Sequence, residues 1–173
     1  MLAAVVLAAG AAERFGSPKQ RLLLPAVLER VRAAALDEVV VVAGAYELDV
    51  EERTVRCADW ERGPGASLRC GLAALSPEAE AAIVVLADGP GLAPEAILRI
   101  AAAWRRTRAP LVAASYDGSR GHPLLVAREL WDDVPDEGFR GREPLLVPCD
   151  DLPAPGDVDR PEDLTRERGT LSG

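Results

Sequence analysis

The chain holds one histidine, three cysteines and one methionine, and aromatic residues make up only 4% of its 173 residues. Each scarcity removes a class of function. One histidine and no CxxC pair leave too few nitrogen and sulfur ligands for a zinc site. No Ser-His-Asp or Cys-His pattern for nucleophilic catalysis is present either. The cysteines, at 57, 70 and 149, are an odd, sparse set that fits a reducing cytoplasm. Positive charge is also short: 20 Lys and Arg face 28 Asp and Glu, a net charge of -8. Sequence-independent binding of nucleic acid needs a cationic surface, so that role is excluded. An acidic protein that handles phosphates must gather its cations locally or borrow charge from a metal ion. No run reaches the ~18 to 20 apolar residues of a membrane helix. The opening MLAAVVLAAG lacks a basic n-region and meets Glu13 and Arg14 at once, unlike a signal peptide. The expectation is a cytoplasmic protein with one domain over 1–173.

What is present is alternation. Leu2–Ala8, Glu38–Val42 and Ala82–Ala87 are continuous apolar runs, as expected of strands buried on both faces. Thr54–Cys57, Leu111–Ala114, Pro123–Val126 and Leu145–Val147 read as further, shorter strands. Helical spacing covers Ala26–Leu36, Ser67–Leu75 and Pro94–Arg106, with a short helix over Arg128–Asp133 and a last one from Pro161 to Arg166. Strand and helix in turn predict an α/β fold: one three-layer α/β/α unit around a mostly parallel, Rossmann-like sheet. The Pro- and Gly-rich stretches Glu61–Gly65 and Asp150–Gly156 read as loops. In such sheets ligands lie beyond the carboxyl ends of the strands, which points to the loops after Ala8 and Ala87.

The first of these loops, LAAGAAERFGSPKQ from Leu7 to Gln20, is rich in small residues. Leu7, Ala8, Ala9, Gly10 and Ala11 let the backbone approach a ligand, and its N–H groups can cradle phosphate oxygens. Arg14 and Lys19 add two cations. The spacing matches neither a Walker loop nor the GxGxxG dinucleotide fingerprint. At the second loop Asp88 ends an apolar strand, well placed for Mg²⁺, although a plain turn residue is the other reading. Asp157 and Asp159, two apart in GDVDRPEDL, offer a second metal ligand, or Asp159 caps the following helix.

These stretches carry a resemblance. LAAGAAERFGSPKQRLLLP resembles the signature of the MobA-like nucleotidyltransferases, roughly LAAGxSxRMGxPKxLLP. ASLRCGL (66–72), VVLADGPGL (84–92), GSRGHPLLVARELW (118–131) and DVDRPEDL (157–164) resemble four further family segments, in the family's order. The RGHP and PKQ forms are more similar to the cytidylyltransferase branch acting on molybdopterin than to the guanylyltransferase branch. The nucleotide-diphospho-sugar transferase type of fold is what this implies. The implied reaction is attack by a phosphorylated acceptor on an NTP, CTP before GTP, with release of pyrophosphate. The implied acceptor is molybdopterin or molybdenum cofactor; another small phosphorylated acceptor, and a non-catalytic nucleotide-binding domain, are the alternatives. Arg14, Lys19 and Asp88 would be catalytic. Leu7 to Ala11, with Arg14, Lys19, Ser67 and Arg69, would bind the nucleotide, and Arg120 and His122 the acceptor. Asp88 with Asp157 or Asp159 would hold Mg²⁺. A weak contact with a molybdoenzyme chaperone or acceptor enzyme is also implied, with no nucleic acid and no membrane.

Overall fold

The computed structural model describes residues 1–10 and 19–156, and at 19 and 20 the backbone only. The apolar runs form the centre of a seven-stranded sheet. Its strands are β1 (Leu2–Ala8), β2 (Glu38–Ala43), β3 (Arg53–Arg56), β4 (Ala81–Leu86), β5 (Leu111–Tyr116), β6 (Ser119–Ala127) and β7 (Leu145–Pro148), in the order β3-β2-β1-β4-β6-β5-β7. Parallel pairing joins β3, β2, β1 and β4, and joins β5 to β7. Only β6 is reversed, antiparallel to both β4 and β5.

Period-two alternation sends each strand's side chains to opposite layers. From β1, Ala4 and Val6 meet α1 (Lys19–Ala33) and α3 (Pro94–Thr107), which contribute Leu24, Leu28, Ile97 and Ile100. Ala3 and Val5 face the other layer, where α2 (Pro64–Ala73) contributes Leu68 and Leu72 and the segment after β6 contributes Leu130 and Phe139. Burying one such Leu or Ile is worth about 1.5–3 kcal/mol. α2 lies close on the sheet because Gly71 has no side chain: a Cβ there would stand 2.4 Å from Val5 Cγ1.

Several boundaries differ from expectation. α1 begins at Lys19, seven residues before Ala26, and runs through Pro25. Proline removes one N–H from the helical ladder, but Leu23, Leu24, Val27 and Leu28 on either side are buried, and their packing carries the helix through. α2 begins at Pro64, where proline suits a first turn. The expected helix Arg128–Asp133 is a 3₁₀ segment. The stretch Arg120–Pro123, expected as a turn before a short strand, belongs to β6. The chain reverses instead at Asp117 and Gly118, both at positive φ (51° and 77°), as a two-residue hairpin requires. The sparse cysteines suggest no pairing, yet Cys57 and Cys70 form a disulfide, because β3 and α2 pack with these Cα atoms 5.8 Å apart. The expected helix Pro161–Arg166 lies outside the described residues. Among the described residues no helix is long and apolar enough to cross a membrane.

Candidate functional site

Two adjoining cavities open at the carboxyl ends of β1 and β4. The first, about 410 Å³, has its floor at Leu7, Ala9 and Gly10 after β1 and at Leu86, Ala87 and Asp88 after β4. Its far wall is Trp60, Glu61, Gly63, Pro64 and Ser67, from a 3₁₀ turn (Trp60–Arg62) and the start of α2. Trp60 packs over Gly44 and Ala9; a Cβ on Gly44 would fall 2.4 Å from the Ala9 oxygen and 2.7 Å from Trp60 Cγ. Bare glycine at 44 is what lets the indole sit against the β1 loop.

The second cavity, about 370 Å³, shares Leu7, Pro64 and Leu86 with the first. It is closed by Arg120 and His122 of β6 and by Glu137, Phe139 and Arg140. Because β6 runs backwards, its first residues reach the ligand edge: the register Val84↔Leu124 brings His122 to the height of Leu86. The peptide His122–Pro123 is cis. On the other side of β6, Arg120 and His122 also line a cavity of about 320 Å³ with Tyr116, Leu92 and Pro155. The Tyr116 hydroxyl donates to the His122 carbonyl at 3.0 Å, and burial pushes that phenol up to about 12.

Electrostatics differ between the groups. Burial, helped by the Arg120 guanidinium, takes the His122 imidazole down to about 4, while the Asp88 carboxylate acts in the opposite sense. His122 is therefore neutral at pH 7, a hydrogen-bonding group and not a cation. Asp88 is half-buried just past the end of β4 and lines the first cavity, two residues after Leu86, which lines both. Glu61 is the other carboxylate of the first cavity. Among the described residues no three His, Cys, Asp or Glu side chains gather as a metal site. A divalent cation on a triphosphate needs only one or two carboxylates beside the phosphate oxygens, and Asp88 and Glu61 are the carboxylates that line this cavity among the described residues.

Two arginines expected in ligand sites make hydrogen bonds within the protein. Arg69 donates from Nη1 to the Val134 carbonyl at 2.6 Å and pairs with the Asp136 carboxylate. That pairing holds Asp136 below the usual carboxylate range, with Arg62 adding to it. Arg120 donates from Nη1 to the carbonyls of Phe139 (2.9 Å) and Arg142 (2.7 Å). Gly65 completes the join: its N–H reaches the Asp136 oxygen at 2.8 Å. The segment 134–142 is thus fastened to α2 on one side and to β6 on the other.

Of the sequence candidates, Leu7, Ala9, Gly10, Ser67 and Asp88 come together in the first cavity, and Arg120 and His122 in the second. Ala8 is buried in the β1 core. Ala11, Arg14, Asp157, Asp159 and the Lys19 side chain lie outside the described residues. Trp60, Glu61, Glu137 and Arg140 line the cavities without belonging to any candidate motif; only the Pro- and Gly-rich loop at 61–65 hinted at the first pair.

Residues 4–146 match the family model described as MobA-like NTP transferase domain. No curated protein matches the chain. Among solved structures, Rv0371c of Mycobacterium tuberculosis is 30% identical, with a TM-score of 0.77 and 95% of each chain covered. The same protein has also been solved as a complex with manganese. A homologue of Rv0371c from Mycobacterium sp. strain JC1 is 26% identical, with a TM-score of 0.82, covering 99% of this chain and 96% of that one. A nucleotidyl transferase from Methanothermobacter, 21% identical with a TM-score of 0.77, shares the fold.

Proposed function

Because the chain belongs to the MobA-like NTP transferase family and is a nucleotidyltransferase, we propose that it transfers CMP from CTP to a phosphorylated acceptor, molybdopterin or molybdenum cofactor. The observation that carries this reading is the pair of adjoining cavities, which share Leu7, Pro64 and Leu86, with Asp88 in the first of them. One cavity suits a nucleotide, the other a second substrate, and both open at the ligand edge of the sheet.

In this reading the base lies against Trp60 and Pro64, and Ala9 and Gly10 let the triphosphate approach the backbone. Asp88, with Glu61 or one of Asp157 and Asp159, would hold Mg²⁺. A bound divalent cation offsets the charge of the triphosphate. Arg14 and Lys19 grip the phosphates from the loop after β1. A unit charge pair at 4 Å is worth about 4 kcal/mol at an effective dielectric near 20. Acting only in the transition state, it would speed the reaction roughly a thousandfold. The acceptor phosphate is already anionic at neutral pH, so no general base is needed. The chain's task is alignment and charge neutralisation. Neutral His122 offers a hydrogen bond to the acceptor in the second cavity. The preference for CTP rests on the RGHP and PKQ forms, as does the choice of acceptor; a cytoplasmic location and a weak contact with a molybdoenzyme chaperone belong to the same reading.

The test is pyrophosphate release from each NTP with Mg²⁺ or Mn²⁺, with and without molybdopterin. Release from CTP that depends on molybdopterin is expected. Release that depends on GTP, or that occurs only with a sugar phosphate, would replace the donor or the acceptor named here.

A further inference from the structure

We infer that Arg140 is the cation that takes the anionic group of the acceptor, with Arg120 as the strut that positions it; this rests on the reading of the second cavity as the acceptor site. The arginines around that cavity differ in what they touch. Arg120 spends its guanidinium on two backbone carbonyls, Phe139 and Arg142. Those carbonyls flank Arg140, one within the 3₁₀ turn Gly138–Gly141 and the other on the residue that follows it. Arg69 and Arg62 are engaged with Asp136. Arg140 lines the cavity as a solvent-exposed side chain, and among the described residues it makes no hydrogen bond or ion pair. Its charge is felt at His122 across the same space.

A guanidinium left without a protein partner in a cavity presents its fork of donors to whatever enters, and that fork matches a phosphate or carboxylate. The apolar lining beside it, Leu68, Leu124 and Phe139, suits a ring system attached to the anion. Glu137 stands on the adjoining segment and suits hydrogen-bond donors of the acceptor, away from its anionic end. The ligand class is therefore a phosphate monoester on a polar-edged, flat organic body. The cavity adjoins the first one at Leu7, Pro64 and Leu86, so an acceptor held by Arg140 lies in the space next to that of Asp88.

The probe is phenyl phosphate, titrated calorimetrically into the full chain whose nucleotide site is filled with Mg²⁺ and α,β-methylene CTP. Arg140→Ala should weaken phenyl phosphate tenfold or more and leave the nucleotide analogue within twofold of wild type. Arg140→Lys should restore part of the loss. Arg120→Lys should weaken the probe and also lower the melting temperature, whereas Arg140→Ala should leave melting unchanged. Phenyl phosphate binding equally to wild type and Arg140→Ala, or to neither, overturns the inference. Failure of the analogue to bind wild type would instead refute the nucleotide reading, and the phenyl phosphate titration on the empty protein would still decide on Arg140.

Discussion

Replacing Gly65 by alanine tests whether the two cavities share a rigid wall. A Cβ at this position would stand 1.6 Å from the Pro135 oxygen and 2.7 Å from its carbonyl carbon. Both are backbone atoms, and no rotamer change can clear them. The segment 134–142 or the first turn of α2 must move. Moving it weakens the Gly65 N–H bond to Asp136, worth about 1 kcal/mol. Overpacking adds about 1–3 kcal/mol. The sum, about 2–4 kcal/mol, corresponds in a chain of this size to a melting temperature lower by roughly 5–12 °C. Because α2 carries Ser67 of one cavity while 137–140 line the other, nucleotide and acceptor should both bind more weakly. Differential scanning calorimetry and titrations with Mg²⁺·CTP and phenyl phosphate measure the three quantities on one variant. A melting temperature within about 1 °C of wild type, with both affinities intact, would refute the rigid wall. Loss of one affinity alone would refute the sharing.

Asp88→Asn should abolish pyrophosphate release while the melting temperature holds, since size and polarity are kept; activity near wild type at limiting Mg²⁺ would remove Asp88 from the metal site. Trp60→Ala should weaken CTP by roughly 5- to 150-fold, the range for loss of a base-stacking ring, and abolish the nucleotide-dependent quench of tryptophan fluorescence. A quench that survives would move the base elsewhere. The pH dependence of stability should carry a His122 component. Its folded value, about 4, lies below the ordinary 6.5, so its contribution is present above pH 6.5 and is lost as pH falls toward 4. The loss amounts to about 3 kcal/mol. Melting curves of wild type and His122→Asn between pH 7 and 4 should therefore converge on the acid side; parallel curves would show that burial does not hold the imidazole neutral.

The strands that read most clearly, β1, β2 and β4, are the ones buried on both faces, where a continuous apolar run is required. The first half of β6 did not read as strand because Ser119, Arg120, Gly121 and His122 lie at the ligand edge and are chosen for contact with a cavity, not for burial. α1 lost its first two turns to Pro25, a local signal overridden by the leucines packed around it. At the site, motif and position agree for small or backbone-facing residues such as Ala9, Gly10 and Ser67, whose proximity follows from the strand ends. Long arginines are different. A motif places the Cα of Arg69 or Arg120, but which carbonyl or carboxylate the guanidinium meets depends on segment 134–142, distant in sequence. Trp60 and Arg140 sit in short 3₁₀ turns, too short for any periodicity to reveal them.

The reversal of β6 also bears on how such a protein can diversify. At the first cavity, Ala9 and Gly10 after β1 and Ala87 and Asp88 after β4 are themselves the floor, so an insertion among these residues disturbs it. At the acceptor end the same edge is reached by a hairpin tip, Asp117 and Gly118, held by one bond from the Asp117 N–H to Asp150 Oδ1. A Cβ added at Gly118 would touch nothing within 4 Å. Hairpin tips lengthen or shorten by pairs of residues without changing the register behind them. With the donor and acceptor sides as proposed, the fold separates a cavity floor built of strand ends from an edge that can be extended, and growth at 117–118 would alter the acceptor side while the floor stays as it is.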